Sequence, residues 1–421
     1  MTTEDQMTID ERLKYLRKMK TRYVKADRRE RGRLLDEMEA VTGLHRKSLI
    51  RRLNSSLERQ PRSRERGRIY GADVTTAIRV IAASLDDPCA ERLTPNLKWM
   101  AEHLSRFGEL EVSASAIEQL AQISISTVER RLGTIRQDQP RRGRKPSRTR
   151  NSALQGIPMG RIAWDVREPG HFETDLVHHS GPSASGLYVH TLQMVDVTSG
   201  WIEPRAVLGR SYVVMQDAFC IILERVPFAV LEVHPDNGSE FFNHHLRRFW
   251  KERAPHVHLS RSRPYHKNDN PFVEQRNANP VRAYLGYDRL DTVEQTRAVN
   301  DLYDLVWCYH NLFQPVMRVV EKTVLSLPGE HTRVQRRYDD ARPPFDRLAA
   351  AQALSPEQLA RLTALREQTN PRQLLAEIEA QLEYIFSLPC AQPDECQNVY
   401  DTLSYLSDPR QEEPSPGNII I

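Results

Sequence analysis

LYVHTLQMVDVTSGWIEPRAV, residues 187–207, reads as two strands folded back through one tight turn. Apolar and polar residues alternate from Leu187 to Val197 and again from Trp201 to Val207, while Thr198, Ser199 and Gly200 are turn formers. Upstream, Phe172 to His178 in HFETDLVHH alternates in the same way and extends the pair to a three-stranded meander. Downstream, Ser211 to Glu224 carries Val213, Val214, Ala218, Ile221 and Ile222 at helical spacing. Ala229 to Val233 reads as a short buried strand, Phe241 to Lys251 as a helix and Val257 to Leu259 as another strand. Antiparallel strands followed by alternating helices and strands predict a mixed α/β sheet with flanking helices.

Three carboxylates punctuate this pattern. Asp175 lies within HFETDLVHH, Asp236 closes the apolar strand of VHPDNGSEF before a Gly turn, and Glu274 in NDNPFVEQRN follows Pro271 into an amphipathic segment. Hard oxygen ligands suit Mg²⁺ or Mn²⁺. Two such ions roughly 3.5 to 4 Å apart can stabilise both the attacking and the leaving oxygen of a phosphoryl displacement. The carboxylates stand 61 and 38 positions apart, so folding has to assemble the site. Taken singly, each is equally readable as a turn or capping residue.

The surrounding words are longer than a short motif. FETDLVHH, VDVTSGWIEPRAV, DNGSEFFNHHL, SRPYHKNDNPFVEQRN, GYDRLDT and NLFQPVM occur in this order between about Gly160 and Val320. This text resembles the catalytic domain of DDE transposases and retroviral-type integrases, in particular bacterial insertion-sequence integrases. The resemblance implies a ribonuclease H-like fold and puts Asp175, Asp236 and Glu274 on the family's DDE positions as catalytic metal ligands. It implies two Mg²⁺ or Mn²⁺ ions, and metal-dependent cleavage of DNA at element ends followed by strand transfer from the freed 3′ hydroxyl. In that frame Asp175 sits mid-strand and Asp236 at the end of the fourth strand. Pro271 suits the first turn of a helix, which sets Glu274 near its positive end, and Pro280 should kink or restart that helix. Two competing readings remain: a related nuclease that cuts without joining, and a domesticated transposase kept as a DNA-binding regulator.

Neighbouring groups rank below these three. Glu173 shares the strand face of Asp175, Glu240 follows Asp236 by one turn, Asp196 is expected to bond the turn that ends its strand, and Asp269 to cap the helix at Pro271. The pairs His178 with His179 and His244 with His245 are adjacent in sequence, which in a strand points them to opposite faces. SRSRPYHKNDN, residues 260–270, is poor in apolar residues; as a loop beside the site, its Arg261, Arg263, His266 and Lys267 would meet phosphates, with Arg276 and Arg282 continuing the basic face. A solvated surface loop is the plainer alternative.

Charge is divided unevenly along the chain. Residues 1–150 hold 33 Lys and Arg against 21 Asp and Glu, whereas the remaining 271 hold 27 against 35, so a polyanion-binding role belongs to the N-terminal part. Two segments there read as helix-turn-helix units. In the first, a helix ends near Val41, Gly43 turns, and His45 to Leu53 presents Arg46, Lys47, Arg51 and Arg52 away from Leu49, Ile50 and Leu53. In the second, the turn falls around Ser124, Ser126 and Glu129 have capping-box spacing, and Arg130 and Arg131 follow. Ile69 to Phe107 reads as helical between them. Residues 136–151 form a basic linker with Arg141, Arg142, Arg144 and Lys145. Ordinary helical hairpins with solvated basic faces are the alternative.

The organisation read from the sequence is therefore a helix-turn-helix module at 1–60, a second helical module at 68–135, the linker at 136–158 and the catalytic domain at 159–325. A helical extension at 326–388, with Ser355 as an N-cap and a break at Asn370-Pro371, and a flexible tail at 389–421 complete it. Cys89, Cys220, Cys308, Cys390 and Cys396 are scattered without a CxxC, and with only His45, His103 and Cys89 before residue 150 the N-terminal zinc site of retroviral-type integrases is not expected. No window is apolar enough for a membrane span and no signal-peptide core is present, which predicts a cytoplasmic, nucleoid-associated protein. The expected partners are double-stranded DNA, as element ends and target, and further copies of the chain in a homo-oligomer on that DNA.

Overall fold

The computed structural model describes residues 7–57, 70–135, 159–160, 166, 168–235, 241, 244–262, 281–325, 333–392 and 397–405. They divide into two compact units at the boundary between residues 69 and 70.

The first unit is three helices: α1 (Ile9–Lys25), α2 (Arg28–Thr42) and α3 (Arg46–Leu53). Each starts at a side-chain cap. Thr8 and Glu11 form a capping box on α1, Asp27 caps α2, and the His45 imidazole accepts from the Lys47 N–H at the head of α3. Gly43, at φ 67°, ends α2 in the left-handed region that glycine enters without strain. Leu13, Leu16 and Met19 of α1 meet Leu34, Leu35 and Met38 of α2 and Leu49 and Leu53 of α3 in one small core. Each such side chain contributes roughly 1.5–3 kcal/mol when fully buried.

The second unit opens with α4 (Ala72–Ser84), α5 (Ala90–Leu93), α6 (Leu97–Arg106), α7 (Ala114–Gln122) and α8 (Ile125–Ile135). The helix expected from Ile69 to Phe107 is broken, because Asp86 and Asp87 take φ 56° and 51° just before Pro88. Helix α8 starts two residues earlier than a capping box at Ser126 would set it. The Ser124 carbonyl accepts from the Thr127 and Val128 N–H groups, so Ser126 lies inside the first turn and Val128 and Leu132 turn inward.

Strand β1 (Met159–Gly160) precedes the main sheet, which is built from β2 (His171–His178), β3 (Val189–Asp196), β4 (Ile202–Leu208), β5 (Glu232–Pro235) and β6 (His258–Leu259). Helix α9 (Tyr212–Arg225) joins β4 to β5, and α10 (His244–Arg253) precedes β6. The order across the sheet is β4-β3-β2-β5-β6. The first three strands are antiparallel, and β5 runs parallel to both β2 and β6, so the sheet is the mixed one the pattern predicts. Strand β5 lies later than Ala229 to Val233. The Gly170 carbonyl takes the N–H groups of Leu231 and Glu232, so ladder pairing begins only at Glu232.

A short strand β7 (Arg261–Ser262) pairs with β1, and α11 (Arg282–Leu285) leads to the long α12 (Val293–Leu312). Strands β8 (Val319–Leu325) and β9 (Arg333–Tyr338) then form a hairpin, and the helices of the C-terminal part begin only at α13 (Pro344–Ala350), followed by α14 (Pro356–Gln368) and α15 (Pro371–Ser387). Ser355 caps α14 and Asn370 caps α15, as the sequence indicates.

One face of the sheet, with Phe172, Leu176, Leu192 and Met194, packs on Val214, Ala218 and Ile222 of α9. The other, with Val189, Val195, Ile202 and Ala206, packs on Val299, Leu302 and Val306 of α12. Helices α4–α8 share their core with the C-terminal helices. Met100, Leu104 and Leu132 belong to the same apolar cluster as Phe313, Phe345 and Leu362. Hydrogen bonds cross the same boundary, from Asn96 Nδ2 to the Ala341 carbonyl at 3.0 Å and from the Tyr309 hydroxyl to the Ser84 carbonyl at 3.0 Å. Part of the expected tail is also docked. The backbone N–H groups of Ser404 and Tyr405 donate to the buried Asp217 carboxylate on α9, and Val293 N–H donates to Gln397.

Candidate active site

Asp175 stands on the central strand, on the sheet face opposite α9. Alternation sets Glu173, Asp175 and Val177 on this face and Phe172, Thr174 and Leu176 on the other. Asp175 is half-buried between fully buried neighbours, and its Oδ1 accepts from the Leu176 N–H at 2.8 Å. Its register partner on β3 is Gln193, which antiparallel pairing points to the same face. The Gln193 side chain is fully buried, and neither its Nε2 nor its Oε1 has a hydrogen-bond partner. An orphaned buried amide beside a carboxylate costs stability unless something else fills the rung.

On the other side of β2, parallel pairing runs from His171 with Glu232 to Thr174 with Pro235. A polar network follows the same face. His171 Nδ1 meets Glu232 Oε2 at 2.8 Å, the Ser260 hydroxyl donates to Glu232 Oε1, and His234 Nδ1 lies 2.5 Å from that hydroxyl. His234 is the register partner of Glu173, and both are fully buried. The hydrogen bond to Glu232 raises the His171 pKa. At the far end of β2, His179 Nε2 reaches the Thr191 hydroxyl at 2.8 Å, which in turn lies 2.5 Å from the Tyr303 hydroxyl of α12.

Asp196 is structural, as its place before the turn suggests. Its carboxylate is buried and accepts from Ser199 N–H and Oγ, both at 2.6 Å, and from Gly170 N–H at 2.8 Å. Burial raises its pKa against those bonds. Arg282 is tied down rather than free on a basic face. It donates to the His178 carbonyl at 2.8 Å and to the Gly286 carbonyl at 3.0 Å, and lies over the Tyr287 ring. Burial lowers its pKa, with the charge of Asp175 among the groups opposing that shift. Arg261 is 3% exposed in β7, so it does not present its side chain to solvent as a phosphate-meeting loop would require. His178 packs on the rings of Tyr188 and His190, and His245 stacks on Tyr212.

Asp236, Glu274, Arg263, His266, Lys267 and Arg276 lie outside the described residues, as do Glu240, Asp269, Arg141, Arg142, Arg144 and Lys145. Among the described residues no group of three or more His, Cys, Asp or Glu side chains is arranged to hold a metal ion, Asp175 being the one member of the trio they include. No described helix is long and apolar enough to cross a membrane.

The basic helices differ in availability. On α3, Lys47, Arg51 and Arg52 are exposed, whereas Arg46 is half-buried in an ion pair with Asp36. On α8, Arg130 is exposed beside Ser126 and Thr127. Arg131 instead secures the start of α4, donating to Thr75 and to the Tyr70 carbonyl at 2.8 Å. Sequence reading does not single out Gln193. It carries no motif signal, only its place in an alternating strand opposite Asp175.

No family model matches the chain. Among solved structures, it resembles the catalytic core of bovine immunodeficiency virus (BIV) integrase at 18% identity, with 34% of this chain and 85% of that one covered and a TM-score of 0.26. For the HTLV-2 integrase catalytic core, described as a dimeric form in complex with magnesium, the identity is 16%, the coverage 35% and 90%, and the TM-score 0.27. Likenesses of that size carry no weight for fold or function. The sequence match to the uncharacterized protein y4rM of Sinorhizobium fredii is far stronger, at 34% identity over 327 residues, 77% of this chain and 91% of that protein. The chain thus belongs to the family of y4rM.

Proposed function

We propose that this chain is a DNA transposase or integrase of the DDE type, with a ribonuclease H-like catalytic domain that cuts phosphodiester bonds at element ends and joins them to target DNA. The observation that carries the reading is a register. Every β2–β5 pair is separated by 61 positions, as His171 and Glu232 are, and 61 is also the separation of Asp175 and Asp236. Parallel strands continued by one residue beyond Thr174 and Pro235 would bring these two carboxylates side by side on one face. The orphaned Gln193 amide, on the same rung as Asp175 in the neighbouring strand, fits a site completed by a polar occupant.

Asp175, Asp236 and Glu274 would hold divalent cations, and a hard, all-oxygen donor set suits Mg²⁺ or Mn²⁺. When bound, such ions supply Lewis-acid stabilisation of the attacking and leaving oxygens. The chain's own part is positional. The central strand fixes Asp175, α12 seals the neighbouring rungs, and the Glu232–Ser260–His234 network holds β5 and β6 beneath the site. Arg263, His266, Lys267 and Arg276 are proposed to steady the DNA backbone. Two element ends must be handled together, so a homo-oligomer on DNA is expected.

The test uses a duplex carrying the inverted repeat that flanks the gene, incubated with protein and Mg²⁺. Asp175→Asn, Asp236→Asn and Glu274→Gln should each lower cleavage and joining by orders of magnitude while duplex binding persists. Cleavage without joined product would favour a nuclease. Wild-type binding with no metal-dependent cutting would favour a regulator, and full activity in any single variant would remove that residue from the site.

A further inference from the structure

Strands β8 and β9 form a two-stranded ribbon that joins neither of the other sheets. Its root is rigid. Arg318 and Asp339 are bonded in both directions, with Arg318 N–H donating to Asp339 Oδ1 at 2.8 Å and Asp339 N–H to the Arg318 carbonyl at 3.0 Å. Arg347 grips the same carboxylate through two nitrogens at 2.6 and 2.9 Å, and Val316 bridges Arg342 beside it. Beyond this root the described side chains are exposed on both faces of the ribbon. Val320 is 44% and Tyr338 46% exposed, and Glu321, Thr323, Gln335, Arg336 and Arg337 are exposed as well. A lone hairpin is at best marginally stable in water, so an exposed one on so firm a root calls for a partner.

Charge identifies that partner. The two strands carry Lys322, Arg333, Arg336 and Arg337 against Glu321 alone. Glu321 pairs with Arg337 at 2.9 Å, while Arg336 enters no ion pair with any described residue. In the register Lys322 and Arg336 are partners, and positive residues outnumber acidic ones on both strands of the ribbon taken together. Tyr338 follows Arg336 by two positions and shares its face. A second copy of the ribbon would add like charge; a polyanion neutralises it.

We infer that the β8–β9 ribbon is an arm that grips the phosphate backbone of duplex DNA outside the catalytic cleft, with Arg336 as its principal contact. This rests on the reading of DNA as substrate. A two-stranded ribbon has the width that a major groove admits, and contacts to phosphate hold register without reading sequence.

The full-length protein is titrated with a mixed-sequence DNA duplex in EDTA, across a range of salt concentrations. Arg336→Glu should weaken binding about tenfold, and removing one cation from a phosphate should flatten the slope of log affinity against log salt by about 0.9. Arg336→Lys should stay close to the wild type, and the milder Arg336→Gln should lie between. Circular dichroism and melting should match the wild type for all three, since the side chain is exposed. Wild-type binding with unchanged affinity and slope in Arg336→Glu and Arg336→Gln would overturn the arm and leave the DNA reading standing. A variant that loses self-association while binding DNA normally would reassign the ribbon to a subunit contact. Absence of DNA binding by the wild type at low salt would overturn both.

Discussion

Asn300 of α12 and Ala206 of β4 exchange two hydrogen bonds, the amide oxygen accepting from the Ala206 N–H at 2.8 Å and the amide nitrogen donating to its carbonyl at 3.0 Å. Asn311 repeats the device on Ile202, at 2.9 and 3.0 Å. Two asparagine side chains thus stand in for a further strand along the edge of β4, satisfying backbone groups that α12 buries and blocking edge-to-edge pairing. Asn300→Ala or Asn311→Leu should each cost about 1–3 kcal/mol, because two buried backbone groups lose their partners. Chemical denaturation checks this, and a variant as stable as the wild type would refute it.

Gln193 predicts the opposite sign. Its buried amide is without hydrogen-bond partners, so Gln193→Leu should leave the protein as stable or raise its stability by about 1–2 kcal/mol while lowering metal-dependent DNA cleavage. Equal loss of stability and activity would instead make Gln193 a packing residue.

Among the described residues, four histidines with shifted pKa values set the pH dependence of folding. His179 and His190 are each pushed down to about 3, first by burial and then by neighbouring positive groups, Arg282 and His178 for the former and His178 and Arg210 for the latter. Unfolded, both take up a proton near pH 6.5. Stability should therefore fall below about pH 6.5, by about 1.4 kcal/mol per pH unit for each, until the folded values are reached. His171, raised by Glu232, acts in reverse: its contribution is full below about pH 6.5 and is lost as pH rises through its folded pKa. His103 is lowered by burial as well, and three depressed groups outweigh one raised group, so acidification destabilises. His190→Phe keeps the ring against Tyr188 at 4.5 Å and removes an Nδ1 that has no partner. Melting temperatures from about pH 7 to 5 should decline less steeply in this variant; identical slopes would exclude His190 as a contributor.

Truncation separates the two units. Residues 1–69 have their own core and should fold, marginally, as a small helical domain that binds duplex DNA through Lys47, Arg51 and Arg52 with steep salt dependence. A fragment ending at residue 151 should instead aggregate, because the apolar faces of α4 and α6 lose Phe313, Phe345 and Leu362. Light scattering and circular dichroism on the two fragments decide the matter, and a monomeric, folded 1–151 would contradict the shared core.

Local chemistry alone determined much of this molecule. The alternation in residues 171–208, the TSG turn held by Asp196, Gly43 after α2 and the caps at Ser355 and Asn370 all act within a few residues, where backbone sterics and side-chain hydrogen bonds leave few choices. The spacing of Asp175 and Asp236 was equally legible, but its meaning was not. Only the pairing of β2 with β5 showed that the same separation of 61 positions is the register of these two strands from His171 to Thr174, because strand register depends on residues far apart in the chain. Tertiary structure also decided that helices 70–135 share a core with α13 and α14, that Arg131 and Arg282 bond carbonyls instead of facing solvent, and that β8 and β9 leave the body as a ribbon. Each of these turns on which surface meets another, and a helical period or a basic residue reads the same whether its neighbour is water, protein or DNA.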